Sequence, residues 1–334
     1  HREMAPTNEK QAWLPEGCTV LRNPNGTAPG CLMEADGKKV AVLPGPPREM
    51  RPMLQNELLP HLMQKGQRLV SHELHFYGIG ESELEYKLHD LMAESKNPTI
   101  APYAGTGEVK LRVTASLPEG EDAEALLQPA IKKILAAAGD YCYGIDVPDL
   151  QTAAVQSLRQ KGLTVASAES CTGGMIAQRL TNVSGASEVF GFGFVTYWVQ
   201  AKAKMVGVEP AVIAKYNVVS APVAAQMALG AAEAAGADIA VSVTGLAGPN
   251  GGDAVRPVGT VYLGAACGET VYVKKLFVSR PDRALVRARA AQAALELALR
   301  LAQGKVPADT QALAKSSRHD AAALTALDST FLKG

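Results

Sequence analysis

The rhythm of apolar and polar positions changes three times along this chain of 334 residues. Near the front, Val40–Leu43 is apolar throughout and reads as a buried strand. The turn "PGPP" follows, and then a helix from about Arg48. The preceding "NPNGTAPG" is dense in turn residues and reads as a loop. Strand, Gly/Pro turn and helix make one half of a parallel-sheet unit. From residue 69, "RLVSHELHFYGIG" alternates like a strand, "GESELEYKLHDLM" carries Leu84, Leu88 and Leu91 at helical spacing, "EVKLRVTASL" alternates again, and "DAEALLQPAIKKILAAAG" is helical. The order strand, helix, strand, helix predicts a small α+β module.

Strands and helices then alternate over 148–304. A helix over 151–160 leads into a strand over 163–168 and a helix from about Thr172. "GFGFVTY" is a strand, "APVAAQMALGAAEAAGA" a helix with Pro222 in its first turn, and "DIAVSVTG" a buried strand. "GTVYLGAAC" and "ETVYVKKLFV" pair as a hairpin, and a long amphipathic helix runs from Asp282 to about Gln303. This predicts an α/β layered domain. The expected division is 1–68, 69–147 and 148–304, with a loosely held polar tail over 305–334. The chain opens on "HREMAPTNEK" with no strand visible before "TVLRNPNG", so the first domain is expected to lack its front portion.

Composition narrows the function classes. Hydrophobic residues make up 47 % and charged ones 20 %, enough to bury sizeable cores. A formal net charge of zero argues against a general grip on nucleic acid or acidic membrane. The five scattered cysteines form no CxxC pair, which points to a reducing cytoplasm rather than a disulfide framework or structural zinc. No run approaches eighteen apolar residues, and the N-terminus shows no basic-then-apolar signal.

Candidate chemistry concentrates in the third segment. In "ASAESCTGGMIAQRL" a strand turns into a helix through Glu169, Ser170, Cys171, Thr172, Gly173 and Gly174. Ser and Thr here suit a helix cap. They equally suit a nucleophile, Ser170, whose oxyanion is held by backbone N–H groups at the positive helix end. Cys171 is the rival nucleophile. Residues 151–305 contain no histidine, so a serine here needs another base. A desolvated lysine serves, because burial lowers its pKa, and Lys202 and Lys204 follow "FVTYW". The glycine- and asparagine-rich loop after Thr244 and Gly245 lies beyond a strand end, where α/β sheets bind ligands. Arg283 and Arg287, four apart on one helix face, suit a phosphate or carboxylate clamp, or equally a solvated face.

Together, "AESCTGG", "FVTY" followed by Lys202, "SVTGLAGPNGG", "PVGTVY" and "SRPDRALVR" resemble the C-terminal domain of the competence/damage-inducible protein A (CinA) family, a nicotinamide mononucleotide deamidase. The resemblance implies Ser170 as catalytic serine, Lys202 as its base and Tyr197 as an assisting hydroxyl. It implies Thr244 and one of Arg283 and Arg287 in the substrate site, with Thr172, Gly173, Gly174 and Gly245 beside them. Trp198 and Val199 depart from the family's common "TYSNEAK". "NPNGTAPG" and "LPGPPREM" resemble the back half of a molybdopterin-cofactor-binding-like domain, and "FYGIGESELE" with "GEVKLRVTA" a KH-like module. The implied fold class is therefore α/β and multidomain: a partial molybdopterin-binding-like domain, a KH-like α+β module and an α/β layered deamidase domain.

The expected activity is amide hydrolysis of a nucleotide by a Ser–Lys pair, with no cofactor. A divalent metal enters only with an intact front domain. The expected partners are a small-molecule nucleotide and a second copy in a homodimer, in the cytoplasm, with neither nucleic acid nor membrane. The KH-like module lacks a basic GxxG loop, so the label carries no RNA binding. The alternatives are a nucleotide pyrophosphatase centred on the front domain and a non-catalytic interaction protein of the competence or damage response.

Overall fold

The structure, a computed structural model, describes residues 6–62, 67–105, 107–306 and 309–332. Residues 1–5, expected to open the front domain, and 307–308 and 333–334 of the expected tail lie outside that set, as do 63–66 and 106. The described chain is mixed α/β and divides into two compact units, His1–Ser71 with Lys96–Pro98 and Thr114–Pro129, and His72–Ser95 with Thr99–Val113 and Ala130–Gly334. No helix among the described residues is long and apolar enough to cross a membrane.

In the first unit, β1 (Thr19–Leu21), β2 (Gly30–Ala35) and β3 (Lys38–Val42) form an antiparallel sheet in that order. The expected parallel half-unit is absent. Asp36 and Gly37 both have positive φ (52° and 70°), the signature of a two-residue hairpin turn that sends β3 straight back along β2. Nor is β3 buried: Val40 is 56 % and Val42 54 % exposed. The local core holds Leu21, Leu32, Met53 and Leu58. It is filled from β1, β2 and the helical stretch of α1 (Pro47–Met53), a π turn (Leu54–Leu58) and α2 (Leu59–Leu62), so the outermost strand has nothing to pack on.

The middle segment contains β4 (Gln67–Phe76), α3 (Glu81–Glu94), β5 (Thr99–Ala104), β6 (Val109–Pro118), α4 (Ala123–Ala138) and β7 (Cys142–Ile145). Its sheet runs β5-β6-β4-β7. Both outer strands go beyond the sequence expectation. Pro102 hides β5, and proline is tolerated there because the strand is at an edge. At four residues, β7 is too short for a periodic signal.

The second unit is built on a six-stranded mixed sheet ordered β13-β12-β11-β10-β8-β9. Its strands are β8 (Val165–Glu169), β9 (Phe190–Val195), β10 (Ile239–Gly245), β11 (Thr260–Cys267), β12 (Thr270–Phe277) and β13 (Gln311–Ala314). Strands β10, β8 and β9 are parallel, whereas β11, β12 and β13 pair antiparallel. Two-residue alternation sends Ile239, Val241 and Val243 to one face and Ala240 to the other. The first face packs α5 (Leu150–Lys161), α6 (Met175–Thr181) and α10 (Arg283–Ala302). The second packs α7 (Val199–Val206), α8 (Pro210–Tyr216), α9 (Ala221–Ala235) and α11 (Ala321–Leu332). Close packing on α9 depends on Gly230, where a Cβ would sit 1.7 Å from the Val206 carbonyl oxygen. The segment expected to be loosely held is part of this core. β13 pairs with β12, and Leu313, Leu324 and Leu327 are buried. Its few apolar residues sit at well-spaced inward positions, which a polar average conceals.

Candidate active site

Three parallel strands end together here. β8 stops at Glu169, and the Ser170 N–H still donates to the Val243 carbonyl of β10 at 3.0 Å. On the other side the Thr196 N–H donates to the Glu169 carbonyl at 2.8 Å, continuing the pairing with β9. Ser170 and Thr196 are thereby set side by side at the carboxyl edge of the sheet, the usual ligand edge of an α/β fold. The chain after Thr196 enters α7, where Val199, Lys202 and Val206 share one face. Lys202 occupies a core position of that face and is only 1 % exposed.

Its amine lies 3.0 Å from Ser170 Oγ and donates to the Thr196 carbonyl at 2.7 Å. Burial lowers the lysine pKa to about 8, and the neighbouring Cys171 opposes the shift. An amine that gives one N–H to Thr196 has its lone pair left for the serine hydroxyl. Cys171 is buried, and burial pushes its thiol up to about 11, which leaves it a poor nucleophile beside Ser170.

The turn between β8 and α6 explains the sequence "ESCTGG". Gly173 and Gly174 have φ of 59° and 94°, a conformation costly for any side chain. The turn folds the chain over Glu169, which is 1 % exposed. Its carboxylate accepts the N–H groups of Gly174 (3.0 Å), Ile176 (3.0 Å) and Ala177 (2.9 Å). The start of α6, which begins at Met175 rather than Thr172, is thus capped by a buried acid within the protein. The Gly173 N–H is also used, donating to the Ser170 carbonyl at 3.0 Å. Among the described residues, no backbone acceptor takes the N–H groups of Cys171 and Thr172.

A cleft of about 260 Å³ opens over the serine. Ser170, Tyr197, Lys202, Thr244, Gly245 and Arg283 all line it. The Tyr197 hydroxyl accepts from Arg283 at 3.0 Å, and Arg283 also donates to the Gly248 carbonyl at 2.7 Å. The Thr244 hydroxyl donates to the Val218 carbonyl at 2.8 Å. Thr172, Gly173, Gly174 and Arg287 are not among the lining residues. The Thr172 side chain is wholly buried, and Arg287 donates to the carbonyls of Cys171 (3.0 Å) and Thr172 (2.8 Å), clamping the turn from behind. Two contributors escape a reading of residue types. Thr196 acts through its carbonyl, and Glu169 is legible only as an acid placed just before a helix start.

Residues 148–302 match the family model described as the CinA C-terminal domain, and 71–144 that of the damage-inducible protein CinA KH domain. A CinA-like protein of Kosmotoga olearia is 45 % identical over 88 % of this chain and 71 % of its own length. A putative competence-damage inducible protein of Caldicellulosiruptor bescii is 45 % identical over 88 % of this chain and 72 % of its own. Among solved structures, the competence/damage inducible protein CihA from Agrobacterium tumefaciens is 40 % identical, covering 46 % of this chain and 93 % of that one, with a TM-score of 0.44. The serine-bearing turn, the lysine of α7 and the loop after β10 all fall within the matched region: this chain belongs to the CinA family.

Proposed function

We propose that the second unit hydrolyses the carboxamide of nicotinamide mononucleotide to nicotinate mononucleotide and ammonia. The observation that carries this reading is the buried Lys202 amine, 3.0 Å from Ser170 Oγ. Ser170 Oγ attacks the amide carbon as its proton passes to the neutral lysine. The N–H of Cys171, the first after the serine and part of the cleft lining, faces the developing oxyanion. As the tetrahedral intermediate collapses, the C–N bond breaks, Lys202 returns the proton to the leaving nitrogen, and ammonia departs. Water, deprotonated by Lys202, then attacks the Ser170 ester, the C–O bond to the serine breaks to release the acid, and Lys202 returns the proton to Ser170 Oγ. Arg283 at the mouth of the cleft takes the substrate phosphate, with Tyr197 held beside it. Thr244 and Gly245 form the opposite wall. In this reading the protein is cytoplasmic and works as a homodimer.

Ammonia release from nicotinamide mononucleotide, followed with and without EDTA, tests the assignment. The expected result is EDTA-insensitive release. Release that EDTA abolishes points to metal-dependent chemistry, and its absence in both conditions overturns the reading.

A further inference from the structure

The region matching the CinA C-terminal domain ends at residue 302, yet α11, beyond it, touches the end of α8. Thr325 Oγ1 on α11 lies 2.7 Å from the Tyr216 hydroxyl at the end of α8. The carbonyl of Tyr216 accepts from Arg256 at 2.9 Å. Arg256 belongs to the loop that leaves β10, the loop whose Leu246, Ala247, Gly248 and Asn250 line the cleft. Its backbone is pinned by Asp253, whose carboxylate accepts the N–H groups of Val255 (2.8 Å) and Arg256 (2.6 Å). The loop closes where the Gly259 N–H donates to the Leu246 carbonyl at 2.8 Å.

Arg256 Nε, the Tyr262 hydroxyl of β11 and Asp328 Oδ1 of α11 are all buried, and none has a hydrogen-bond partner among the described residues. Burial raises both the Asp328 carboxyl and the Tyr262 phenol, and the Arg256 charge opposes both rises. Val199 and Val218 of the cleft wall also line a hollow of about 480 Å³ behind it, together with Tyr216 and Arg256.

We propose that Arg256 is a positioning residue and that α11, through Thr325 and Tyr216, braces the substrate-binding loop by way of it. This inference rests on the cleft being the amide substrate's site. A loop with glycines at 248, 251, 252 and 259 loses much entropy when held in one shape, and an anchored arginine midway supplies the restraint. Ser170 and Lys202 are fixed separately, by β8, α7 and Thr196. The brace therefore acts on substrate binding and not on the chemical step.

The test combines steady-state ammonia release from nicotinamide mononucleotide with hydrogen exchange across residues 246–258, in the full chain. Arg256→Gln is expected to raise KM about fivefold with kcat within about twofold, and to speed exchange in the loop but not in β8. Arg256→Lys should recover part of the KM. Thr325→Val, at an exposed helix position, gives a variant that folds even if the buried changes do not, and it should move both readouts the same way. Unchanged KM and loop exchange in the folded variants overturn the brace, as does a fall in kcat at constant KM. If wild type releases no ammonia from this substrate, the amidase reading fails on its own, and loop exchange still decides the brace: faster in the variants supports it, unchanged sinks it.

Discussion

Lys202 Nζ stands 3.0 Å from Ser170 Oγ, and the backbone carbonyl of Thr196 holds the same amine at 2.7 Å. No histidine lies between residues 151 and 305, so no imidazole within that segment competes for the role of base. The strand end fixes the serine and the helix face fixes the lysine. Their distance is thus a property of the sheet edge rather than of a mobile loop.

Ser170→Ala should abolish turnover and leave the fold nearly untouched. The α6 cap belongs to Glu169, and the Ser170 side chain is hydrogen-bonded to Lys202. Loss of a nucleophile costs several orders of magnitude in rate. The thermal midpoint should move by no more than about 2 °C. Retained turnover would hand the nucleophile role to another group.

Removing Lys202 should stabilise the protein at neutral pH. Its folded pKa of about 8 lies below its ordinary 10.5, so the folded chain binds fewer protons than the unfolded one between those values. By linkage, stability rises with pH across that window, and below it the cost of burying the charge is fully present. The shift corresponds to about 3 kcal/mol at most, less the lost hydrogen bonds. Lys202→Met should therefore melt above wild type at pH 7, with the gap closing towards pH 10. Melting curves at both values check this, and a gap that widens with pH contradicts it.

Glu169→Gln should destabilise where Ser170→Ala does not. One amide oxygen cannot replace a carboxylate that accepts three backbone N–H groups, and the amide's own N–H would face donors. The cost should reach about 2 kcal/mol or more. Denaturant unfolding measures it. A variant as stable as wild type would show that the acid is not the cap.

Arg283 and Arg287 of α10 should separate kinetically. Arg283 faces the cleft, whereas Arg287 holds the carbonyls of Cys171 and Thr172. Arg283→Met should raise KM by about tenfold or more with a smaller effect on kcat. Arg287→Met should lower kcat, because it frees the turn carrying the serine. Equal effects on KM from both would remove the distinction.

Much of this site was legible in residue order. The polar cluster at a strand end, the lysine after "FVTYW" and the glycine-rich loop after Thr244 were all visible, because each lies where a regular period breaks. Whether Arg283 or Arg287 faces the cleft was not, since both lie on one helix face and only tertiary packing distinguishes them. The use of the Gly173 and Gly174 amides was hidden for a related reason: Glu169 reads as the end of a strand until the turn folds it onto the helix. In the front unit the Asp36–Gly37 turn carried the hairpin signal, and the apolar run at Val40–Leu43 outweighed it. The C-terminal segment was misjudged from its polar average, although Leu313, Leu324 and Leu327 are what anchor it.

The central claim is that a neutral lysine activates the serine, and it is tested most directly by the pH–rate profile of ammonia release from nicotinamide mononucleotide for wild type and Lys202→Arg. Wild-type kcat/KM should rise through one ionisation near the lysine's pKa of about 8 and then level off. Lys202→Arg keeps the charge but has no proton to give up in this range, so its rate should fall by about three orders of magnitude or more and show no such rise. An arginine variant with turnover close to wild type, or a wild-type rate flat from pH 6 to 10, would contradict the Ser170–Lys202 account.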